Sequence, residues 1–201
     1  MDERLRGFVA VELPEPVLAA LTEIQAALGA RVSRAGLGRG VRWVNPSGIH
    51  LTLKFLGGTP SHLLPVIERN LAAKLAGQRP FPLELSGLGV FPGFQAPRVL
   101  WVGIAGDLAE LAAIQRKVEE AISPLGFPPE SRAYSPHLTL GRVDEAMKRA
   151  ERQLLGEIVR GSQLAPRGQF EVTQISLMRS ELSPAGARYS RLLAVPLRPS
   201  R

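Results

Sequence analysis

Two copies of one tetrapeptide carry the side chains best suited to chemistry: His50-Leu51-Thr52-Leu53 and His137-Leu138-Thr139-Leu140. The 201 residues include only three histidines, so two of them in the same four-residue setting point to a duplicated functional element. On a strand, alternate side chains share a face. His50 and Thr52 then point one way while Leu51 and Leu53 pack the other way, and the second copy divides identically. Two imidazoles converging on one cleft suit in-line displacement at a phosphodiester. One, neutral, takes a proton from the nucleophile, and the other, as imidazolium, gives one to the leaving oxygen. The threonine hydroxyls can donate to the non-bridging oxygens, where charge collects in the transition state. No serine nucleophile with a partner base is apparent. Two histidines on separate strands lack a third ligand at a recognisable spacing, so no metal or other cofactor is expected. The plain alternative is a pair of hydrogen-bonded histidines buried in a core.

Strands bearing these motifs need partners, and the chain supplies them in a repeating order. Arg6–Leu13 reads as a strand ended by Pro14-Glu15-Pro16, and a helix follows to about Leu28 with Val17, Leu21, Ile24 and Leu28 at helical spacing. A Gly- and Arg-rich loop is expected over Gly29–Gly40. Short strands over Val41–Val44 and His50–Leu56 flank the turn Asn45-Pro46-Ser47-Gly48. A helix from Thr59-Pro60-Ser61 to about Ala76 and a strand over Phe81–Ser86 complete the first half. The turn-rich Gly87–Arg98 reads as a crossover. The second half repeats the order. A strand over Val99–Ile104 precedes a helix capped by Asp107 and running to Ile122. Then come the strand His137–Leu140, a helix over Glu145–Val159, and closing strands Phe170–Met178 and Tyr189–Leu197.

The repeated order reads as two related β-α-β-α-β halves whose motif strands face a shared cleft. Residues 1–201 form one domain. One lobe spans about 1–90 with the first His-x-Thr motif, the other about 97–201 with the second, and strands are free to exchange between them.

Composition narrows the function classes. Hydrophobic residues at 45% and charged residues at 21% fit a globular chain and exclude a disordered or highly charged rod. No apolar run reaches the roughly 18–20 residues of a membrane-spanning helix, and Met1-Asp2-Glu3-Arg4 is not expected to open a secretory signal. The absence of cysteine removes disulfides, thiolate metal sites and a thiol nucleophile. A cytoplasmic, monomeric protein with no membrane partner is expected. The net charge is +7 and 21 of the 25 basic residues are arginine, which suits phosphate, although a GC-rich genome produces the same bias.

The surroundings of the two motifs resemble the two-histidine (2H) phosphoesterases. The resemblance runs through RGFVAVELPEPV, RWVNPSGIHLTLKFLG, FPGFQAPRVLWVGI, YSPHLTLGR and ISLMRSELSPAGARYSRL, nearly the whole chain. Within that family it points to the RNA 2′,3′-cyclic phosphodiesterases once called 2′-5′ RNA ligases. It implies an α+β fold, bilobal and pseudo-two-fold symmetric, with antiparallel sheets lining a central cleft. It also implies metal-independent opening of an RNA 2′,3′-cyclic phosphate to a 2′-phosphomonoester; whether a small cyclic nucleotide is also opened stays undecided by the sequence. It assigns proton donation to His50 and proton acceptance to His137. Thr52, Thr139 and the basic residue Arg142 are then expected to hold the phosphate. The reverse 2′-5′ ligation and a non-catalytic RNA-binding module are the competing functions. Phe8 and Tyr134 are the candidates to stack a terminal base, whereas Trp101 reads as a core residue. Lys54 shares the His50/Thr52 face by alternation and reaches either the phosphate or solvent at the cleft rim. His62 reads as a surface residue. Gly36-Leu37-Gly38-Arg39-Gly40 lacks the ending of a nucleotide-binding loop and is expected at the cleft mouth.

Overall fold

Nine strands and four α-helices build two antiparallel sheets in a computed structural model that describes residues 3–163, 168–183 and 186–198. Pro184-Ala185, inside one segment of the resemblance, lie outside the described residues. The elements are β1 (Arg4–Glu12), α1 (Glu15–Arg34), β2 (Val41–Trp43), β3 (His50–Pro60), α2 (Leu64–Leu75), β4 (Phe81–Phe91), β5 (Val99–Gly106), α3 (Leu108–Ile122), β6 (His137–Val143), α4 (Arg149–Arg160), β7 (Gln169–Val172), β8 (Gln174–Ser183) and β9 (Gly186–Pro196). One sheet has the order β3-β1-β8-β9 and the other β2-β6-β5-β4-β7. Each draws strands from both halves of the chain. The two motif strands are each paired antiparallel, β3 with β1 and β6 with β5, although β3 is an edge strand and β6 is flanked on its other side by β2.

Most expected elements are present, and the differences have local causes. α1 continues past Gly29 because its apolar period does not stop there. Val32 is as buried as Leu28, and the helix gives way only before Gly36, at φ +77°. Gly38–Gly40 form a short 3₁₀ turn. Leu37 is held in the core and the Gly40 carbonyl accepts from Asp144 N–H, so this segment does not line the cleft. β4 extends to Phe91 and pairs with β5, which makes residues 92–98 a hairpin connection rather than a crossover. α4 starts at Arg149 because Asp144 Oδ1 accepts from Ala146 N–H and sets a turn first. Arg152 then fastens that turn through the carbonyls of Asp144, Met147 and Pro97.

The expected strand Phe170–Met178 is two strands in different sheets, β7 on β4 and β8 on β1. Its burial changes parity at Thr173, from Phe170 and Val172 to Ile175 and Leu177. One continuous core joins the sheets and helices, with α2 packed on α3 and on β9. The motif leucines Leu51, Leu53, Leu138 and Leu140 are all buried in it. Truncating a buried leucine costs about 2–5 kcal/mol, so these leucines anchor the strands that carry the histidines. Gln25 adds a cross-tie from α1, donating to the carbonyls of Val44 and Leu140 at 2.8 Å each.

Candidate active site

A cleft of about 830 Å³ runs between the sheets, and His50, Thr52, His137, Thr139 and Arg142 all line it. What aims these side chains is a duplicated irregularity. In β3, Thr52 faces Ala10 and Lys54 faces Val9, so Leu53 is an extra residue; in β6, Thr139 faces Trp101 and Gly141 faces Leu100, so Leu140 is extra. A β-bulge leaves two consecutive residues opposite one and resets the alternation beyond them. After each bulge the next cleft-facing residue is the sixth of its motif, Phe55 in the first copy and Arg142 in the second. Arg142 reaches the cleft only because of its bulge.

The bulge also corrects the reading of Lys54. Instead of sharing the His50/Thr52 face, it turns into the core at 2% exposure. Its ammonium donates to Glu119 Oε2 at 2.6 Å and to the Pro128 carbonyl at 2.8 Å. A buried lysine needs both a counter-charge and further acceptors. Lys54 thereby ties β3 to α3 and to the segment that leads into β6, and it does not line the cleft.

Both histidines are oriented by the same device. His50 Nδ1 lies 2.9 Å from the Gly48 carbonyl and His137 Nδ1 lies 2.7 Å from the Ser135 carbonyl. A carbonyl only accepts, so each Nδ1 carries its proton and each Nε2 is left for chemistry. Aromatic rings complete the clamps. Phe8 stacks on His50 with ring centres 4.4 Å apart, and Tyr189 meets the same imidazole edge-on at 4.9 Å. Phe91 meets His137 edge-on at 4.9 Å, with Trp101 at 6.5 Å. Burial among these rings pushes the His50 pKa below its ordinary value, against the opposing effect of the Gly48 hydrogen bond.

The aromatic candidates are therefore placed differently from expectation. Phe8 is 2% exposed and spends its face on His50, which makes it a positioning residue. Tyr134 is packed against the core and donates its hydroxyl to the Thr52 carbonyl at 3.1 Å, and burial pushes its pKa up. It steadies the first motif from the second half instead of offering a ring to a base. Trp101 packs against Phe91, and its buried Nε1–H has no hydrogen-bond partner among the described residues. His62 is exposed, as expected.

Sequence reasoning missed Phe55, Tyr189, Phe91, Arg4 and Arg6, all of which line the cleft. Only Phe55 had a local signal, in its matching position to Arg142 within the repeat. The others arrive through pairing of distant strands. Among the described residues, no group of three or more His, Asp or Glu side chains is gathered as a metal site.

Comparisons agree with the resemblance read from the motifs. The family model for the 2′-5′ RNA ligase superfamily matches residues 13–184. An RNA 2′,3′-cyclic phosphodiesterase of Methanothermobacter thermautotrophicus is 35% identical over 187 residues, covering 93% of this chain and 96% of that protein. One of Thermus thermophilus is 34% identical over 200 residues, covering 96% and 91%. Among solved structures, the Thermus thermophilus protein TT0787 superposes with a TM-score of 0.73 at 30% identity, covering 98% of this chain and all of that one. E. coli LigT complexed with 3′-AMP shares the fold, with a TM-score of 0.70 at 24% identity over 97% and 99% of the two chains.

Proposed function

Because the chain belongs to the 2′-5′ RNA ligase superfamily, we propose that it is a hydrolase opening RNA 2′,3′-cyclic phosphate ends to 2′-phosphomonoesters. The single observation that carries this reading is the pair of imidazoles held alike in one cleft, each with Nδ1 on the carbonyl two residues back and Nε2 left for the substrate.

In the proposed step, His137 Nε2 accepts a proton from water as the water oxygen bonds to phosphorus. The bond from phosphorus to the 3′ oxygen breaks, and His50 Nε2–H protonates that oxygen. The phosphate stays on the 2′ oxygen, and the two histidines return to their starting charges by exchange with solvent. Thr52 and Thr139 donate to the non-bridging oxygens, and the fork of Arg142 holds the charge that builds on them. Burial of His50 opposes the imidazolium that its role needs. A bound phosphate works the other way, since a nearby negative charge favours the protonated ring. The two halves of the chain, about 1–90 and 97–201, each contribute one histidine, one threonine and one bulge to this centre.

The test is a short RNA bearing a 2′,3′-cyclic phosphate, incubated with excess EDTA and analysed for product. The expected product is the 2′-phosphomonoester, formed at the rate seen without chelator. Each of His50→Ala and His137→Ala is expected to lose about 10²–10⁴-fold, the usual worth of general acid–base catalysis. A 3′-phosphate product, or activity lost on chelation and restored by a divalent metal, overturns the mechanism.

A further inference from the structure

The cleft is longer than one cyclic phosphate requires, and its far end has a composition of its own. The two irregularities in the pairing of β1 with β3 place the extra residues, Leu53 and Leu56, on β3, so β1 itself alternates and Phe8, Arg6 and Arg4 lie on its cleft face in turn. Across from them on β3, Phe55 faces Phe8 and Gly58 faces Arg6. From the histidines outward, the floor therefore runs from Phe55 to a glycine pair and two arginines. Phe55 is 61% exposed, the most exposed large apolar side chain among the described residues. Its ring lies 6.2 Å from Phe8, tilted by 46°, so one face rests toward the protein and the other is open to the cleft. Gly57 and Gly58 leave the floor beyond it bare, and a Cβ on Gly58 would come 3.3 Å from Arg4 Nε. Arg4 spends one donor on the Gly58 carbonyl at 2.9 Å and keeps the rest of its fork exposed. Arg6 is exposed beside it, roughly 7 Å along the strand from Phe8.

A stacking ring followed by two cations along a bare strand floor matches a single-stranded nucleic acid, whose bases stack on aromatic faces and whose phosphates follow a positive groove. We propose that Phe55, Arg6 and Arg4 form a track for the nucleotide that precedes the cyclic end. A base stacks on Phe55 and its phosphate meets the two arginines, so the protein favours RNA chains over 2′,3′-cyclic mononucleotides. This rests on the proposed function and adds the part of the substrate that the paired histidines do not touch.

The experiment compares kcat/KM on uridine 2′,3′-cyclic phosphate and on a tetranucleotide ending in the same group. Base–aromatic stacking predicts that the wild-type protein prefers the tetranucleotide by about tenfold or more. Phe55→Ala and the double variant Arg4→Ala/Arg6→Ala are each expected to shrink that ratio severalfold, whereas Phe55→Trp keeps it. The double variant should also flatten the salt dependence on the tetranucleotide, by about 0.7 in log–log slope for each phosphate no longer neutralised. A wild-type ratio near one overturns the track. So does a Phe55→Ala variant that loses equally on both substrates, because the ring then serves the terminal nucleotide. If the wild type opens neither substrate, the hydrolase reading fails, and the track is judged by binding of a fluorescein-labelled tetranucleotide. Equal affinity for wild type and Phe55→Ala then overturns it.

Discussion

Replacing Lys54 by methionine tests whether the buried ion pair holds the first motif in place. The lysine side chain is fully enclosed and Glu119 is 16% exposed, so the carboxylate left behind has little water to turn to. Its other oxygen keeps a bond from Gln115 Nε2 at 3.3 Å, and the Pro128 carbonyl loses its donor altogether. Removing one partner of a buried pair costs about 3–5 kcal/mol, and the partial exposure of Glu119 sets the expectation near the lower bound. For a chain of this size each kcal/mol moves Tm by about 2–4 °C, so Lys54→Met is expected to lower it by about 6–12 °C. Thermal unfolding followed by far-ultraviolet circular dichroism at neutral pH measures this. Because a buried pair can be replaced by neutral groups at small cost, the double variant Lys54→Met/Glu119→Gln should regain at least half of the loss. A single variant within about 2 °C of wild type, or a double variant no better than the single, refutes the argument that the charge left unpaired is the source of the damage.

Four other outcomes follow from the site. Burial lowers the His50 pKa, so its imidazole resonances in the free protein should titrate below the 6.5 of an ordinary histidine and move upward when inorganic phosphate is added. The unfolded chain binds that proton first, so stability is expected to fall as pH drops through 6.5 toward the folded-state value; a midpoint at or above 6.5 contradicts this. Arg142→Ala should lower kcat/KM on a cyclic phosphate by about 10–100-fold, the worth of hydrogen bonds to a charged group, with Arg142→Lys recovering only part; a change under threefold places Arg142 outside the phosphate site. On a nitrophenyl phosphodiester, whose leaving group needs no proton, His50→Ala should approach wild type while His137→Ala stays impaired. Rescue of His137→Ala instead reverses the donor and acceptor.

The duplicated His-Leu-Thr-Leu determined, by itself, which four side chains face the cleft and which four leucines anchor them, because alternation over four residues needs no knowledge of the partner strand. The same local logic located both motif strands and the helix capped by Asp107, whose Oδ1 accepts from Glu110 N–H at 3.0 Å. Alternation failed one residue past the first motif, at Lys54, and it was the family resemblance rather than alternation that pointed to Arg142. Lys54 lies in the core, and Phe55 and Arg142 lie in the cleft, because Leu53 and Leu140 are bulged, and a bulge is a property of how two strands pair rather than of either strand alone. Tyr134 on the Thr52 carbonyl and Gln25 on the Leu140 carbonyl join residues 82 and 115 positions apart. The rings that clamp the histidines come from β1, β4, β5 and β9. One chain's periodicity specifies the direction of its own side chains. Which distant strand lies beside it, and in what register, is set by the packing of the whole core, and that packing decided what surrounds each histidine.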